Sequence, residues 1–586
     1  MRSKISPKAE SHVNRSRQQK LLCTTAVLGV AAAGVLLAGS AVAGDRDDRD
    51  DHKKVDHVLL ISVDGLHQSD LAWYVETHPG STLATLMARG VDYSNASTPF
   101  PSDSFPGMVG QVTGGNPATT GIYYDDTWNH DVFPPGTTNC TGAVPGTEVT
   151  YFEALDKNQG ALDAGQGIVP AVGNPDPWAN ILKMTSNPVD VINPLKLPVD
   201  PSTCMPIYPN DYLHVNTIFQ VAHRHHLLTA WSDKHPAYLI LSGPSEDGEG
   251  VDDFFTPEIN SSANSAAPTD STQPDWTTDN LFTQQYDGYK VQAVINWING
   301  QHHDGSGHPG TPVIFGMNFQ TVSTAQKLPN SRTEGDLSGA AAGGYLVDGA
   351  TPGLVLTNAL DFVDQSLGSM VRALMQRGLF DRTAIIVSAK HGQSPMNLAA
   401  LNRINDGKII DALNAMWNSS HQGGNPNATP LVALGTDDDG MLLWLNDRSA
   451  TATSYAKQFL MSYSDPTASV DGKPVTSAGL YQVYTGADAA RLIGVDPKDP
   501  RVPDVIGIAQ YGVVYTSHKS KIAEHGGDHL EDRNVPILVV RPGADGGTAV
   551  TAPVETTQIA PTILELLGLD PDELRAVQIE GTQPLF

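Results

Sequence analysis

The chain has 586 residues, of which 36 are Lys or Arg and 64 are Asp or Glu, so its formal net charge is -28. This charge argues against a protein that binds nucleic-acid polymers or an anionic membrane, because phosphate contacts need clustered basic side chains. A hydrophobic content of 40% with 17% charged residues is typical of a globular protein and excludes a disordered chain.

The first segment is typical of an export signal. A basic stretch precedes an apolar run that ends in the small residues Ala41-Val42-Ala43. The pattern predicts a signal peptide over residues 1–43, cleaved after Ala43, and therefore a secreted or periplasmic protein. A signal anchor is the alternative, because the apolar run approaches the length that spans a bilayer. The charged residues 44–56 are predicted to be a solvated linker.

Five apolar runs predict buried strands. They cover residues 57–64, 227–231, 312–317, 383–389 and 535–540. Each run is nearly continuous, as expected for strands of a parallel sheet that is covered on both faces. Helical periodicity predicts a helix over residues 358–376. The alternation of strands and helices predicts an α/β fold, a three-layer sandwich with a mostly parallel central sheet.

One domain is expected over residues 57–586. Loop-rich insertions that are candidates for a rim or a cap are expected near 123–210, 243–279 and 418–500. The first of these contains Cys140 and Cys204, the only cysteines after the signal. An even number of cysteines in an oxidising compartment favours a disulfide between Cys140 and Cys204, and two free thiols are the alternative.

Polar residues follow several of the predicted strands. Asp64 follows the first strand, residues 233–235 follow the second, and Lys390 and His391 follow the fourth. Active sites of α/β folds gather at the carboxyl ends of the strands. We therefore expect these side chains to meet at one edge of the sheet.

Ser104 stands directly before Phe105-Pro106 at the start of a predicted helix. A serine at this position is normally a helix cap. A hydroxyl there also lies among unpaired backbone N–H groups at the positive end of the helix dipole, where an attacked phosphate or a developing alkoxide is stabilised. Taken alone, these residues leave both interpretations open.

The order of the motifs is more specific than any one of them. Asp64-Gly65 is followed by TGGNPATTGI at 113–122, Lys390-His391-Gly392, EHGGDH at 524–529 and TQIAPTILELLG at 557–568. Over residues 57–586 this order resembles the alkaline phosphatase superfamily. The branch that it resembles is the type I phosphodiesterase/nucleotide pyrophosphatase family.

In that family two divalent metals, typically zinc, flank a Thr or Ser nucleophile. The resemblance implies that Ser104 is the nucleophile and a metal ligand, that Asp64 and His391 bind the same metal, and that His525 binds the other. A metal on the serine oxygen lowers its pKa and supports in-line displacement through a phosphoseryl intermediate.

The sequence departs from the family pattern at four positions. Gln320 and Thr324 stand where an Asp and a His of the second metal site are expected, Lys390 replaces a carboxylate ligand, and Gly107 replaces an Asn that would contact the phosphate. Neutral oxygens are poor zinc ligands, and an ammonium group repels a dication. A complete site for two zinc ions is therefore not expected.

The sequence thus predicts an exported, metal-dependent phosphate-ester hydrolase that is most suited to diester or nucleotide-type substrates. We expect one divalent ion, with zinc as the typical metal, held chiefly by Asp64, Ser104 and His391. Lys390 and His525 are expected to face the phosphate as charge stabiliser and proton donor. The alternative is that His525 remains a metal ligand, which leaves open a count of one or two ions.

Two other functions stay open at this point. One is a catalytically degenerate relative that binds a ligand without turning it over, and the other is a hydrolase of another phosphorus or sulfate ester. The expected partner is a small phosphate ester, and neither a nucleic-acid polymer nor a stable membrane partner is expected. Nothing in the sequence indicates an oligomeric state.

Overall fold

The computed structural model describes residues 54–171, 173–333, 336–543 and 546–586, with the backbone alone for residues 333 and 336–340. The predicted signal peptide at 1–43 and residues 44–53 of the predicted linker lie outside the described residues. Within the described ranges, no helix is both long and apolar enough to cross a membrane.

An eight-stranded sheet organises the structure. Its strands are β1 (His57–Val63), β2 (Val91–Tyr93), β3 (Thr229–Ser232), β4 (Asp253–Phe255), β5 (Ile314–Phe319), β6 (Thr383–Ser388), β7 (Leu538–Val540) and β8 (Thr548–Val550). Their order across the sheet is β8-β2-β7-β6-β1-β5-β3-β4. Strand β7 is antiparallel to both neighbours, and the other pairs are parallel. The predicted α/β fold with a mostly parallel sheet is confirmed.

Helices cover both faces of this sheet. The principal ones are α1 (Ser104–Thr113), α2 (Asn280–Ile298), α3 (Thr321–Lys327), α4 (Leu354–Gln376) and α5 (Ile559–Leu567). Successive side chains of β1 point to opposite faces. Leu59 packs in an apolar core with α2, α3 and α4, whereas Leu60 packs in a second core with α1 and α5. The helix predicted at 358–376 is α4, which begins earlier, at Leu354.

The five predicted strands correspond to β1, β3, β5, β6 and β7, with ends that differ by up to three residues. The remaining strands β2, β4 and β8 have three residues each. Such short segments carry too little apolar periodicity to be recognised in the sequence. The register of β1 aligns Val63 with Phe319 on β5 and Ser62 with Ser388 on β6, so that the residues following these strands share one edge.

A smaller antiparallel sheet lies within the C-terminal half. Its strands, in spatial order, are Val432–Asp437, Gly440–Leu445, Val505–Ala509 and Leu480–Thr485. Together with helices Asp406–His421 and Ala450–Ser462, these strands enclose an apolar core of their own. Much of the 418–500 stretch is therefore ordered sheet and helix. Its strand connection at Asp438 reaches the edge of the main sheet, where Tyr124 donates a hydrogen bond to the Asp438 carboxylate at 2.7 Å.

The predicted disulfide is confirmed. Cys140 and Cys204 are bonded, with their Cα atoms 5.9 Å apart. The bond joins the two ends of a segment that contains only short 3-10 helices and one short strand between the cysteines. It therefore crosslinks a part of the chain that has little regular structure.

The remaining elements are short. The other strands are Ala96–Ser97, Asp126–Asn129, Thr147–Thr150, Ser331–Thr333, Asp336–Ala341, Asn402–Ile404, Val513–Tyr515, Asn534–Val535 and Val554–Glu555. The other α-helices are Gln68–Thr77, Thr82–Met87, Pro117–Thr120, Ile218–Arg224, Ala487–Ile493, Leu530–Arg533 and Arg575–Glu580. The 3-10 helices are Glu153–Leu155, Ile181–Lys183, Pro188–Asp190, Pro194–Lys196, Pro209–Tyr212, Pro236–Ser242, Ser245–Asp247, Phe380–Arg382, Pro466–Ala468, Ser477–Gly479, Thr556–Gln558 and Pro571–Glu573.

Candidate active site

The carboxyl ends of β1, β3, β5 and β6 bring the predicted site residues together. Asp64, Gln320, Lys390 and His391 follow three of these strands, and all four side chains are buried. Ser104 reaches the same edge from the first turn of α1 and is 2% exposed. The expectation that these residues converge on one edge agrees with the structure.

Ser104 contacts one basic side chain and one imidazole. Its Oγ accepts a hydrogen bond from Lys234 Nζ at 2.9 Å and donates to His391 Nε2 at 3.1 Å. Helix α1 begins here because the Asp103 side chain caps it by accepting from the backbone N–H of Phe105 at 2.9 Å. Asp103, and not Ser104, is therefore the capping side chain, which leaves the Ser104 hydroxyl available for other contacts.

The tautomer of His391 follows from its two contacts. Nδ1 lies 2.9 Å from the carbonyl oxygen of Gly392, so it carries the proton, and Nε2 is the acceptor that faces Ser104. Burial lowers the pKa of His391 to about 3, and Lys327 and Lys234 act in the same direction against the opposing effect of Asp64. The imidazole is neutral at ordinary pH and can accept the serine proton.

Asp64 is ionised although it is buried. Burial by itself would raise its pKa, but Lys390, Lys234 and His391 outweigh this effect and lower it well below the usual range. Lys234 Nζ lies 3.4 Å from Oδ2, and Lys390 Nζ lies 3.8 Å from Oδ1. Gln320 Nε2 also donates a hydrogen bond to Oδ2.

Lys390 is held inside the site by its own partners. Its ammonium donates to Asp233 Oδ1 at 2.9 Å and to the Tyr238 hydroxyl at 2.6 Å. Its side chain is completely buried, so this lysine does not face the solvent. Burial lowers the pKa of Lys390, whereas Asp64 and Asp233 overcome the effect of burial on Lys234 and raise its pKa. Lys234 therefore keeps its positive charge more strongly than Lys390 does.

The His525 ring lies close to that of His391, with centroids 3.9 Å apart and the ring planes tilted by 38°, and its Nδ1 lies 3.7 Å from Asp103 Oδ1. Burial lowers the pKa of His525 well below its ordinary value, and His391 and Lys327 contribute in the same direction. A neutral imidazole is a weaker proton donor than an imidazolium ion. His525 is placed to contact a ligand, but as a neutral group.

The two positions that replace metal ligands have other partners. Gln320 Nε2 donates its hydrogen bond to the Asp64 carboxylate. Thr324 Oγ1 accepts from Asn280 Nδ2 at 2.9 Å and donates to the carbonyl oxygen of Thr321 at 3.1 Å. Both side chains therefore complete a protein hydrogen-bond network and offer only neutral oxygens, which zinc binds poorly.

The donors Asp64, Ser104 and His391 are of the types that bind a divalent metal, but their surroundings do not suit one. The Lys234 ammonium lies within hydrogen-bond reach of Ser104 and Asp64, and Lys390 lies beside the same carboxylate. Two unit charges 4 Å apart interact by about 4 kcal/mol even at an effective dielectric of 20. A dication at this position would face two such repulsions, so the donor set does not fit the metal that the resemblance implies.

The structure does contain other groups of candidate metal ligands. One consists of Asp438, Glu524 and His525, whose ligand atoms lie within 4.8 Å of one another. Glu524 is already paired with Lys327, at 2.7 Å, and with Lys521. The two ammonium groups neutralise this carboxylate, which reduces its value as a ligand. The second group is Glu153, His235 and Glu258.

Gly107 has a steric reason to lack a side chain. A Cβ atom at this position would lie 2.2 Å from the backbone oxygen of Lys390. Helix α1 and the segment that follows β6 therefore approach each other too closely for the Asn of the family pattern. The same approach brings Ser104 next to His391.

Lys234, Asp233 and Tyr238 are the site residues to which the sequence assigned no role. The sequence signal for Lys234 and Asp233 is their position directly after a predicted strand. Tyr238 lies in the 3-10 helix Pro236–Ser242 and carries no such signal. The cavity beside the site has a volume of about 330 Å³, and its lining includes Lys234, Gln320 and His525.

Comparisons with known proteins identify a family and similar folds. A family model described as type I phosphodiesterase/nucleotide pyrophosphatase matches residues 58–530. An inactive variant of murine ectonucleotide pyrophosphatase/phosphodiesterase 5, solved in complex with AMP, has a TM-score of 0.50 and 13% identity over 88% of this chain and 96% of that chain. The human protein of that name has a TM-score of 0.48 and 13% identity over 88% and 95% of the two chains.

At these identities the structural similarity concerns the fold. No curated protein sequence matches the chain. The family is generally metal-dependent, and the described part of the structure has candidate metal-ligand groups. The family match extends over most of the chain and confirms the resemblance that the motifs indicated. The chain belongs to the type I phosphodiesterase/nucleotide pyrophosphatase family.

Proposed function

We propose that the protein is an exported phosphodiesterase or nucleotide pyrophosphatase in which Ser104 attacks phosphorus and lysine side chains supply the positive charge. Membership of the family supports phosphoric ester hydrolase activity. The observation that carries the finer proposal is the position of Ser104 Oγ between the Lys234 ammonium, at 2.9 Å, and His391 Nε2, at 3.1 Å. The proposed nucleophilic oxygen thus contacts both a base and a cation.

The first step forms a bond between Ser104 Oγ and phosphorus, while the serine proton passes to His391 Nε2. The bond from phosphorus to the leaving oxygen breaks, and the remaining ester is carried by Ser104. Water then attacks this phosphoseryl ester, one of its protons passing to solvent while the other stays on the new phosphate oxygen, and Ser104 leaves and recovers its proton from His391. The low pKa of His391 makes it a weak base in the free protein. A bound phosphate anion raises its basicity, because an adjacent negative charge favours the imidazolium form.

Lys234 is proposed to stabilise the charge that develops on Ser104 and on the phosphate oxygens. An ammonium that is already in place costs no reorganisation when the charge develops. Lys390 contributes a second positive charge behind Asp64 and positions that carboxylate. In this proposal the lysines supply the electrostatic stabilisation that a metal ion supplies in a metal-dependent relative.

His525 is proposed to donate a hydrogen bond to a phosphate oxygen as a neutral imidazole. A neutral His525 is a poor proton donor for the leaving group. Substrates whose leaving group is a stable anion, such as a nucleotide pyrophosphate or an aryl phosphodiester, should react faster than alkyl diesters. The AMP bound by the murine protein is consistent with a nucleotide-type ligand here.

Export is proposed from the predicted signal peptide and is supported by the disulfide, because such bonds persist in oxidising compartments.

One observation favours a second candidate function, a relative that binds a nucleotide without hydrolysing it. The buried His391 is a weak base, and Lys390 replaces the carboxylate residue of the family pattern. Binding of AMP with no turnover of any diester would support this alternative.

The test is hydrolysis of an aryl ester of a nucleoside monophosphate by the full mature chain before and after treatment with a chelator. We expect turnover in both samples and its loss in Ser104→Ala. The matched control is Ser102→Ala. Ser102 is buried in the same segment, but its hydroxyl donates to the carbonyl oxygen of Gly527 at 2.8 Å and not to the site. Turnover by Ser104→Ala at the wild-type rate would refute the assignment.

A further inference from the structure

A second cluster of ionisable side chains lies next to the proposed active site. It consists of Glu153, Asp156, His235 and Glu258, and we refer to it as the Glu258 cluster. Glu153 begins a 3-10 helix and Asp156 follows the end of that helix. His235 follows Lys234 beyond β3, and Glu258 lies beyond β4. Three separate chain segments therefore supply the cluster.

The geometry of the cluster suits a small cation. Ligand atoms of Glu153, His235 and Glu258 all lie within 4.8 Å of one another. His235 Nδ1 lies 2.8 Å and 2.9 Å from the two carboxylate oxygens of Glu258. Carboxylate oxygens and a neutral imidazole together are a donor set for divalent transition metals.

Asp156 provides an independent indication that a ligand is missing. Its side chain is completely buried, and no N–H or O–H donor among the described residues reaches either carboxylate oxygen. The side chain lies within hydrogen-bond reach of the Glu258 carboxylate, so one of the two must hold a proton unless a cation compensates them. The nearby Lys196 ammonium donates to the backbone oxygen of Asp156, at 2.7 Å, and not to its side chain. A buried carboxylate without a partner is costly, so a group that satisfies it is expected.

The charges around the cluster do not balance. Glu153, Asp156 and Glu258 are three carboxylates, and Asp275 adds a further negative charge near Glu258. Lys234 is the basic side chain that acts on Glu258, but its ammonium contacts Ser104 and Asp64. The neutral donors are Asn260 Nδ2, which bonds Glu153 at 2.8 Å, and the Asn260 backbone, which bonds Glu258 at 2.9 Å.

Either bound protons or a cation must compensate these carboxylates. Glu153 and His235 also line the cavity beside the active site, which gives a cation a route of entry.

We infer that the Glu258 cluster binds one divalent metal ion of the Mn²⁺ or Zn²⁺ class through Glu153, His235 and Glu258, with the Asp156 carboxylate supporting the site from beside Glu258. This site differs from the position between Asp64, Ser104 and His391, where ammonium groups exclude a dication. It also differs from the Asp438–Glu524–His525 group, in which Glu524 is already paired with two lysines. The inference does not depend on turnover at Ser104.

The test uses the full mature chain, stripped with a chelator and titrated with Mn²⁺ or Zn²⁺ alone. Binding is measured by calorimetry, by the loss of the free Mn²⁺ paramagnetic resonance signal, and by the metal content of the purified protein. We expect one ion per chain and a higher melting temperature with the metal. Glu258→Gln and Asp156→Asn should each weaken binding about tenfold or more, the usual effect of losing a ligand or its support.

Three controls make the result specific. Glu246→Gln removes an exposed carboxylate, and Asp438→Asn alters the other candidate group, so both should bind as the wild type does. Ser104→Ala should also bind the ion, which separates this inference from the proposed catalytic role. Absence of binding in the wild type would overturn the inference and would leave the cluster as carboxyl groups that share protons. Loss of binding in Asp438→Asn, with retention in Glu258→Gln, would also overturn it.

Discussion

Lys234 lies at the centre of the proposed chemistry because it contacts both Ser104 and Asp64. Its pKa is raised by Asp64 and Asp233, which overcome the lowering effect of burial, so the side chain stays charged. Asp64 in turn stays ionised because the two lysines lie beside it. These side chains form a charge-balanced unit in which each member stabilises the ionised form of the others.

Replacing Lys234 with Met should therefore remove both a phosphate contact and the partner of a buried carboxylate. We expect kcat/KM for an aryl phosphodiester to fall by about 100-fold to 1,000-fold, the usual effect of losing one electrostatic stabiliser. Lys234→Arg should retain part of the rate because it keeps the charge. The control is Lys183→Met, at an exposed lysine. A Lys234→Met protein that is folded and retains the wild-type kcat/KM would contradict the proposed role.

At the scale of elements, the site depends on how closely α1 approaches the end of β6. The contact between Gly107 and the backbone of Lys390 leaves no room for a Cβ atom. A glycine inside a helix costs roughly 0.5–1 kcal/mol relative to alanine. This loss of stability accompanies the close approach of α1, which produces the short distance between Ser104 and His391.

Gly107→Ala should push α1 away from Lys390. We expect a loss of about 1–3 kcal/mol in the free energy of unfolding, as for other overpacked sites, together with a fall in kcat. Gly288→Ala is the matched control, because Gly288 also lies inside a helix but has open space around its position. The control should be neutral or slightly stabilising. Equal effects of the two substitutions, measured by urea unfolding, would argue against the close approach.

The short hairpin formed by Asp126–Asn129 and Thr147–Thr150 gives a pH dependence at the same scale. Burial raises the pKa of Asp126 to about 9, and Glu148 on the paired strand adds to the effect. The folded protein therefore holds this proton more tightly than the unfolded chain. The stability from Asp126 is present in full below the unfolded pKa, near 4, and is lost as the pH rises through about 9.

Urea unfolding of the wild type and of Asp126→Asn between pH 6 and pH 9 tests the pH dependence of this stability. The wild type should lose stability relative to the variant by up to about 1.4 kcal/mol per pH unit. A difference that does not change with pH would show that Asp126 is not protonated in the folded protein.

At the scale of the whole molecule, the fold was largely predictable, but the contacts of the site were less so. Residues Asp64 and His391 follow long buried strands, whose ends must meet in a parallel sheet, and so their convergence could be expected. The reach of Lys234 to Ser104 could not, because sequence position does not fix the direction of a long side chain. Asp156 and Glu258 come from segments that only the folded chain brings together.

The disulfide also acts on the molecule as a whole. It closes a loop that spans a sequence separation of 64 residues. In the chain-entropy model such a crosslink stabilises by about 4 kcal/mol, and measured values are often smaller. The free energy of unfolding should be larger for the oxidised protein than for a Cys140→Ser, Cys204→Ser double variant. Equal free energies of unfolding would show that the bond does not constrain the unfolded chain.

In the proposed mechanism Ser104 forms a covalent bond to phosphorus, with lysines in place of a metal at the nucleophile. The most direct measurement is mass spectrometry of chelator-treated protein, quenched with acid during hydrolysis of an aryl nucleotide diester. We predict a nucleotidyl adduct on the peptide that contains Ser104, and its absence from Ser104→Ala. An adduct on another residue, or an adduct at Ser104 that forms only when a metal is restored, would contradict the account.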